Sequence, residues 1–381
     1  MIRMKVYIYK GGLRFVRKSG VGSAIHHQEE MLATAGVAQT ATSAASPTGR
    51  SQAESRGATS AARAELWHGG VQTDNLCGVA QCAQTGNWQE ASVVHINTVF
   101  PDSVLVAWLA RRQGKKVVWY GHSTMEDFRN SFIGSNLAAP LFKRWIRFCY
   151  NLGDIVVTPT AYSRWLLAGY GLRRPVAALT NGVDTALFQP DAVGGACFRA
   201  RYEIAPDQKV VISAGHLIRR KGIFDFLALA RMMPDVMFFW FGSTARWMLT
   251  AEVRRALQSV PKNVCFAGFV PPNELCEAYS GADAFLFCSH EETEGIVVLE
   301  ALASGVPVVL RDIPVYEEWL EDGVQVLKAK DTAGFARALR RVFAEDTTEM
   351  TARGRALAEE HSLAATGAAL LEIYRHIGIS R

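Results

Sequence analysis

The chain has 381 residues, of which 49% are apolar and 20% are charged, so it can bury sizeable cores and is neither a disordered nor a collagen-like protein. No apolar run approaches the roughly 20 residues that cross a bilayer, and the first segment lacks the long apolar stretch of a signal peptide. We therefore expect a cytosolic protein. Its length suits two domains better than one.

The charges are distributed unevenly along the chain. Residues 1–190 carry 20 Lys+Arg and 11 Asp+Glu, whereas residues 191–381 carry 21 and 25. A basic first half indicates that this half faces a polyanion, which is a membrane surface, a nucleic acid or a phosphorylated substrate. The seven cysteines include no CxxC pair and no metal-ligand spacing with histidine, which argues against a disulfide framework and a zinc site.

Short β-branched or aromatic runs alternate with helical patterns along most of the chain, which predicts an α/β fold with parallel sheets. Many runs are apolar throughout, for example VVISAG and AFLFCS, as is typical of strands covered on both faces. The alternation breaks near residue 190 and resumes at Lys209. We therefore predict two doubly wound domains, 1–190 and 191–361.

The segment 33–65 does not fit this alternation. It contains no aromatic residue, and Val37 is its only larger aliphatic residue. Such a segment buries too little surface to offset the entropy of ordering it, so we predict a flexible insertion after the first helix. The alternative is a poorly packed, alanine-rich helix.

A glycine pair, Gly20 and Gly22, lies at the start of the first predicted helix. Glycines at such a place permit close approach of the backbone to a bound molecule. The pair by itself is a weak signal, because the full dinucleotide fingerprint and a Walker A sequence are both missing.

His122 ends the predicted strand KVVWYGH, and Glu126 and Asp127 follow it closely. Ligands bind at the carboxyl ends of parallel strands, so this position favours a functional histidine over a structural one. The two acids are candidates for contacts with acceptor hydroxyls. Their alternative role is that of acids at a helix start.

A basic amphipathic helix is predicted around residues 141–149. Apolar residues recur there at helical spacing, and between them lie the candidates for membrane contact, which are Lys143, Arg144, Trp145 and Arg147. Such a helix can lie in a membrane interface, where anionic lipid attracts each basic residue by roughly 1 kcal/mol. The alternative is a core helix with a solvated basic edge. The surplus of positive charge in residues 1–190 favours membrane docking.

A basic turn follows the first strand of the second predicted domain. It contains His216, Arg220 and Lys221, and Gly222 leads directly into an apolar helix. A cation there would stabilise a departing diphosphate. The alternative is a solvated basic turn, which the apolar helix directly after Gly222 disfavours.

The most informative stretch runs from Ser289 to Val309 and reads strand, acidic loop and helix. Glu292 lies in the loop, Glu300 lies two turns along the helix, and Gly295 and Ile296 lie at the helix start. Exposed amides at a helix start suit a diphosphate, and two carboxylates can accept hydrogen bonds from sugar and ribose hydroxyls. The alternative is an acidic turn that complements the helix dipole.

Glu292-x7-Glu300, with Gly295 between, resembles the signature of the retaining GT-B glycosyltransferases of family four. The resemblance covers nearly the whole chain outside 33–91. It implies two Rossmann-like domains that face a central cleft. It also implies a C-terminal helix, residues 362–378, that crosses back to the first domain.

By the same resemblance, Glu292 holds donor-hexose hydroxyls and Glu300 holds the ribose. Lys221 meets the diphosphate, His122 contacts the donor sugar, and the Gly20 loop lies across the cleft. The arginine that the family usually places beside this lysine is replaced by His216, for which Arg220 is a candidate substitute.

Three further stretches resemble the diacylglycerol glucosyltransferases and diglucosyldiacylglycerol synthases. They are KSGVGSAIHHQ (18–28), HINTVFPDS (95–103) and HSTMEDFRNSFIGSN (122–136). The resemblance implies transfer of glucose or galactose from a UDP-hexose to diacylglycerol or its monoglucosyl form, on the inner face of the cell membrane. No DxD sequence is present, so we expect neither a metal nor another cofactor.

Three other functions are compatible with the same motifs. The acceptor is then a cell-wall or other saccharide, or the protein is a UDP-sugar epimerase, or it is a sensor that binds the nucleotide sugar without turnover. Nucleic acid is not an expected partner, because no helix-turn-helix, zinc-finger or RNP-like pattern is found.

Overall fold

Two parallel sheets organise the part of the chain that the computed structural model describes, which is residues 5–9, 20–34, 38–40, 65–68 and 86–379. From one edge to the other, the strands of the first sheet are Ala38–Thr40, Glu65–His68, Lys5–Tyr9, Val93–Ile96, Lys116–Tyr120, Ile155–Thr158 and Val176–Ala178. Those of the second sheet are Val264–Gly268, Val236–Phe241, Lys209–Ala214, Ala284–Phe287, Val308–Arg311 and Leu327–Ala329. Every pair of neighbouring strands is parallel. The predicted α/β class with two parallel-sheet domains is therefore confirmed.

Helices separate most consecutive strands of the described chain, because parallel neighbours are joined by crossover connections. The strands are β1 (Lys5–Tyr9), β2 (Ala38–Thr40), β3 (Glu65–His68), β4 (Val93–Ile96), β5 (Lys116–Tyr120), β6 (Ile155–Thr158), β7 (Val176–Ala178), β8 (Lys209–Ala214), β9 (Val236–Phe241), β10 (Val264–Gly268), β11 (Ala284–Phe287), β12 (Val308–Arg311) and β13 (Leu327–Ala329). The helices are α1 (Gly20–Thr34), α2 (Gly86–Glu90), α3 (Pro101–Arg112), α4 (Met125–Phe128), α5 (Ser135–Tyr150), α6 (Ala161–Ala168), α7 (Ala192–Arg201), α8 (Ile223–Met232), α9 (Ala251–Ala256), α10 (Pro272–Gly281), α11 (Ile296–Ala303), α12 (Thr332–Ala344), α13 (Thr348–Glu360) and α14 (Leu363–Ile379). Short 3₁₀ turns occur at Arg219–Lys221, Arg246–Met248 and Pro314–Tyr316.

Each sheet is buried on both faces. All residues of β4 and β11 are buried, and both strands consist mainly of apolar residues. Two apolar clusters flank each sheet, one on either face. This arrangement is the physical reason that the strands read as continuous apolar runs in the sequence.

Most of the predicted insertion at 33–65 lies outside the described residues. The described part differs from the prediction, because Ala38–Thr40 forms the edge strand β2 and pairs with β3. Three residues, Ala-Gln-Thr, are too few to predict a strand from the sequence. Their pairing with β3 holds them in the extended conformation.

The chain passes between the domains at two neighbouring places. Val183 donates its backbone N–H to the carbonyl of His361 at 3.0 Å, and Leu363 donates to the carbonyl of Val183 at 3.1 Å. These bonds join the segment that leads from the first domain to the second with the segment that leads back to the first. The α14 helix then lies on the first sheet, where its Leu370 and Tyr374 join the apolar cluster of β1, β5 and β6.

Two contacts hold α14 against the first domain. Tyr374 hydrogen-bonds through its hydroxyl to Nδ1 of the fully buried His95, at 2.5 Å. Gly367 crosses α1 so closely that a Cβ at this position would lie 2.3 Å from the carbonyl oxygen of Met31. The two helices can cross this closely because glycine has no side chain at position 367.

Gly367→Val is expected to lower the free energy of unfolding by about 2 kcal/mol, because the new side chain meets backbone that cannot move aside. Thermal unfolding followed by circular dichroism measures the effect. Ala368→Val is the control, since it adds the same side chain at an exposed position of the same helix. Equal unfolding midpoints for the two variants would contradict the close crossing.

Candidate active site

Loops that follow strands of the two sheets meet between the domains. The loop after β5 carries His122 and leads to α4, and the loop after β11 carries Glu292 and leads to α11. The backbone N–H of Arg220, in the second domain, donates to the carbonyl of Asn130 in the first domain at 3.3 Å. Ligands of doubly wound sheets bind at such carboxyl ends, so this is the candidate site.

Glu292 lies at the centre of a buried charge cluster. Its Oε1 accepts hydrogen bonds from Nζ of Lys221 and, at 2.5 Å, from the hydroxyl of Ser289. Nη1 of Arg220 lies 3.5 Å from the same oxygen. Burial raises the pKa of Glu292, but Lys221, Arg220 and the two hydrogen bonds outweigh this effect, so the pKa lies below its ordinary value. The carboxylate is therefore held ionised.

The backbone places Lys221 against β11 through a glycine. Gly222 has a φ of 78°, and a Cβ there would lie 2.3 Å from the carbonyl oxygen of Cys288. A positive φ and this contact both require glycine. The turn brings Nζ of Lys221 over the ring of Phe287, at 5.2 Å from the ring centre.

The α11 helix begins beside this cluster. Gly295 precedes the helix with a φ of 89°, and the buried Ile296 is the first helical residue. A Cβ on Gly295 would lie 2.6 Å from the hydroxyl of Tyr316. That hydroxyl is buried and has no hydrogen-bond partner among the described residues. The first amides of α11 and this hydroxyl are donors of the kind that a phosphate group takes.

Glu300 lies in a different environment from Glu292. It is buried on α11 and accepts a hydrogen bond from the hydroxyl of Tyr279 at 3.1 Å, and no cation of the described residues forms an ion pair with it. Burial raises the pKa of Glu300 to about 7, against the smaller effect of this hydrogen bond. The two carboxyls of the motif therefore differ in charge near neutral pH.

His216 does not supply positive charge to the site. Its Nδ1 donates a hydrogen bond to the carbonyl of Ser243 at 2.9 Å. Burial, together with Lys221 and Arg220, lowers the pKa of His216, so the ring is neutral and offers Nε2 as an acceptor. Arg220 and Lys221 provide the cations instead.

His122 is also neutral. Burial and the neighbouring His95 lower the pKa of His122 to about 3. Its ring stacks on Tyr120 with the ring centres 4.7 Å apart, and its Nε2 donates to the side-chain oxygen of Asn97 at 3.0 Å. These contacts leave Nδ1 as an acceptor at the carboxyl end of β5.

The two acids after His122 diverge. Asp127 lies in the cleft, where its Oδ1 is 2.7 Å from Nη1 of Arg220 in the other domain. Glu126 instead accepts a hydrogen bond from the hydroxyl of Tyr170 in the first domain. Arg220 is further held by the hydroxyl of Ser131 at 3.0 Å. Asp127 thus forms an ion pair with the buried charge cluster around Glu292, whereas Glu126 forms none with it among the described residues.

The sequence analysis missed Glu294, which lies two residues after Glu292 and joins the two domains. This buried side chain accepts hydrogen bonds from the hydroxyl of Thr180 and from the backbone and side-chain amides of Asn181, the latter at 2.6 Å. Burial raises the pKa of Glu294 to about 7, and these hydrogen bonds oppose the rise. In the sequence, Glu294 is visible as the third acid of the run EETE. No local pattern distinguishes its role from the roles of Glu291 and Glu292.

The glycine pair lies at the beginning of α1, where Gly20 is the first helical residue and Gly22 is half-buried. Residues 10–19, which precede the pair, lie outside the described residues. The described structure therefore places the two glycines at a helix start after β1, as the pattern indicates.

Comparisons with known proteins show the family of this chain. Residues 20–187 match the family "Glycosyltransferase Family 4", and residues 197–358 match "Glycosyl transferases group 1". A processive diacylglycerol α-glucosyltransferase of Acholeplasma laidlawii is 34% identical, over 98% of this chain and 98% of its own. The chain belongs to the glycosyltransferases of family four.

A further relative and two solved structures are also similar to this chain. An α-galactosylglucosyldiacylglycerol synthase of Streptococcus pneumoniae is 28% identical to this glycosyltransferase over 64% of the chain and 66% of its own. The HepE structure from Anabaena, with UDP and glucose, has a TM-score of 0.73 at 16% identity, over 98% of this chain and 100% of its own. Sucrose-phosphate synthase of Thermosynechococcus elongatus has a TM-score of 0.74 at 17% identity, over 100% of both chains. The structural similarities show the fold, which is GT-B.

The α5 helix of the glycosyltransferase carries the residues that were predicted to contact a membrane. Arg144 and Arg147 are exposed, but Trp145 is half-buried and donates its Nε1–H to the carbonyl of Val99 at 2.6 Å. Lys143 lies over the ring of Tyr170, at 4.4 Å. The exposed apolar residues of this helix are different ones: Leu137, Leu141 and Phe148. No helix in the described part of the chain is long and apolar enough to cross a bilayer.

The ion pair between Asp127 and Arg220 links the domains of the glycosyltransferase and generates a stability prediction. Removing one charge leaves the other buried, so Asp127→Asn and Arg220→Gln are each expected to cost about 3 kcal/mol. The double variant is expected to cost clearly less than the sum. A double-mutant cycle from thermal unfolding measures this coupling, with the surface pair Arg201 and Glu277 as the control. Additive losses would show that the pair does not couple the domains.

Proposed function

We propose that this glycosyltransferase moves glucose or galactose from a UDP-sugar to a hydroxyl of diacylglycerol or monoglucosyldiacylglycerol. The observation that carries the proposal is the buried group formed by Lys221, Arg220 and Glu292 beside the start of α11, between the two domains. The printed activity of the Acholeplasma relative, which matches over nearly its full length, supports the acceptor class.

The donor diphosphate is proposed to bind at the amides of α11 and at Lys221. Arg220 and Lys221 offer two positive charges where the leaving group gains negative charge, which is the largest catalytic effect available to such a site. Their charge is the reason that the proposal includes no metal. Glu292 and Glu300 are proposed to accept hydrogen bonds from hexose and ribose hydroxyls, and Nδ1 of His122 from another sugar hydroxyl.

We propose that transfer retains the anomeric configuration, as in the family. The bond between the anomeric carbon and the diphosphate oxygen breaks, and UDP leaves with the electron pair. The acceptor oxygen then bonds to the same face of the oxocarbenium-like sugar. Its proton passes to the departing phosphate oxygen, so the step needs no co-reactant.

The acceptor is proposed to reach the cleft from a membrane surface that binds the first domain. Leu137 and Leu141 are 89% and 66% exposed, and Arg144 and Phe148 continue the same stripe along α5. On the α3 helix, Trp108 is exposed with the guanidinium of Arg112 over its ring at 4.2 Å. Apolar side chains flanked by arginines suit the interface of an anionic bilayer. The proposed location is the inner face of the cell membrane.

Glu292→Gln is expected to lower UDP release by about a hundredfold or more, because it removes the carboxylate that orders the cation cluster. The assay uses UDP-glucose and UDP-galactose on anionic vesicles, with diacylglycerol, monoglucosyldiacylglycerol or no acceptor, and with EDTA present. Glu349→Gln, at an exposed position, is the control.

The same assay separates the alternative functions. Release that requires one lipid supports the proposal, and product NMR then reports the anomeric configuration. Release that requires a soluble saccharide, or conversion of the sugar without any acceptor, would overturn the lipid acceptor. Loss of activity in EDTA would overturn the proposed independence from metal.

The double variant Leu137→Ser and Leu141→Ser is expected to weaken vesicle binding about tenfold or more, because two inserted side chains are lost. Co-sedimentation with anionic vesicles measures binding. Val193→Ser with Met232→Ser removes two exposed apolar residues from the second domain and is the matched control. Unchanged sedimentation of the α5 variant would refute membrane docking through this helix.

A further inference from the structure

A cavity of about 870 Å³ opens between the domains, outside the charge cluster of the donor site. One wall is α6 with the segment that follows it, and the other wall is the 3₁₀ turn Pro314–Tyr316 with the residues after it. The volume lies within the range of small-molecule sites, which often form at domain boundaries. Its polar and aromatic lining residues are Tyr162, Arg164, Trp165, Arg174, Glu317 and Glu318.

An exposed aromatic surface forms part of the first wall. Trp165 is 70% exposed although it is a large apolar side chain. It stacks with Tyr162, with the ring centres 6.3 Å apart and the planes at 25°. A stacked aromatic pair that faces an open cavity offers a flat apolar face to a ring-shaped ligand.

The charges in the cavity balance one another. Arg164 and Arg174 lie on the first wall, and Glu317 and Glu318 lie on the second. Within the described part of the chain, none of these four side chains forms an ion pair. Two positive and two negative groups favour a neutral ligand with many hydroxyls, which the carboxylates and guanidiniums can bind by hydrogen bonds.

The cavity adjoins both the donor loop and the α5 helix. The hydroxyl of Tyr162 donates to Oε1 of Glu291 at 2.9 Å, and Glu291 immediately precedes Glu292. At the other end, Nε of the lining residue Arg174 donates to the carbonyl of Asn151, the residue directly after α5, at 3.2 Å. A ligand in this cavity therefore lies beside the loop that carries Glu292 and beside the C-terminal end of α5.

We propose that this cavity binds the hexose ring of a membrane lipid that already carries one sugar. The ring stacks on Trp165 while Glu317 and Glu318 accept hydrogen bonds from its hydroxyls. The inference rests on the proposed function for the origin of the ligand, but the binding itself does not. Such a site holds a glycosylated lipid beside the cleft and favours it over an unglycosylated lipid.

The binding test uses the full chain and octyl α-glucoside below its micellar concentration, observed by saturation-transfer NMR. Trp165→Ala is expected to weaken binding about tenfold, since the stacking surface is lost. Glu317→Gln with Glu318→Gln is a second variant with the same expected direction. Trp247→Ala, at an 80% exposed position of the second domain, is the matched control. No binding by the wild type, or equal binding by Trp165→Ala, would overturn the proposal.

A kinetic test distinguishes this proposal from the proposed function. Trp165→Ala is expected to raise KM severalfold for a lipid with one hexose and to leave KM for diacylglycerol, and donor binding, unchanged. Reduced binding of this variant to sugar-free anionic vesicles would assign Trp165 to the membrane face and overturn the cavity site. Absence of UDP release by the wild type with every lipid would defeat the proposed function, while the NMR titration still tests the cavity.

Discussion

The guanidinium of Arg220 is buried between the two domains, and much of the site depends on how its charge is satisfied. Asp127 and Ser131 hold it from the first domain, and Glu292 and the carbonyl of Glu291 hold it from the second. A buried charge that loses one partner costs several kcal/mol, so these contacts fix the distance between the two loops. Asp127 of the first domain and Glu292 of the second domain consequently share one cation.

A second group of contacts fixes the position of the two domains relative to each other near this ion cluster. Glu294 binds the crossing segment through Thr180 and Asn181, directly beside the helix start at Gly295. The returning crossing is hydrogen-bonded to Val183, and α14 then lies on the first sheet. The proposed diphosphate site is therefore part of the joint between the domains, and movement of the joint and binding at α11 affect each other. Such a coupling is a physical basis for gating by domain closure.

Several site residues were predictable because their signal is local. The spacing of Glu292 and Glu300 places one carboxyl in the loop and the other on the helix. Lys221 and Gly222 lie in the turn between β8 and the next helix, as their place in the sequence indicates. Roles that depend on charge state were not predictable. His216 stands where the resemblance implies an arginine, and only its contact with Ser243 and its burial indicate that the ring is neutral. Trp145 likewise has the right sequence spacing for a membrane anchor, but its indole is tied to Val99.

The sequence by itself determined the alternation of strands and helices, the positions of the glycine turns and the carboxylate motif, because each depends on residues close together in the chain. The tertiary structure decided which acid faces Arg220, which side of α5 is exposed, and that α6 and the turn after β12 enclose a cavity with Trp165 in it. These features arise where residues distant in sequence meet across a domain boundary. Local periodicity carries no information about that meeting, because it is set by the packing of the two domains on each other.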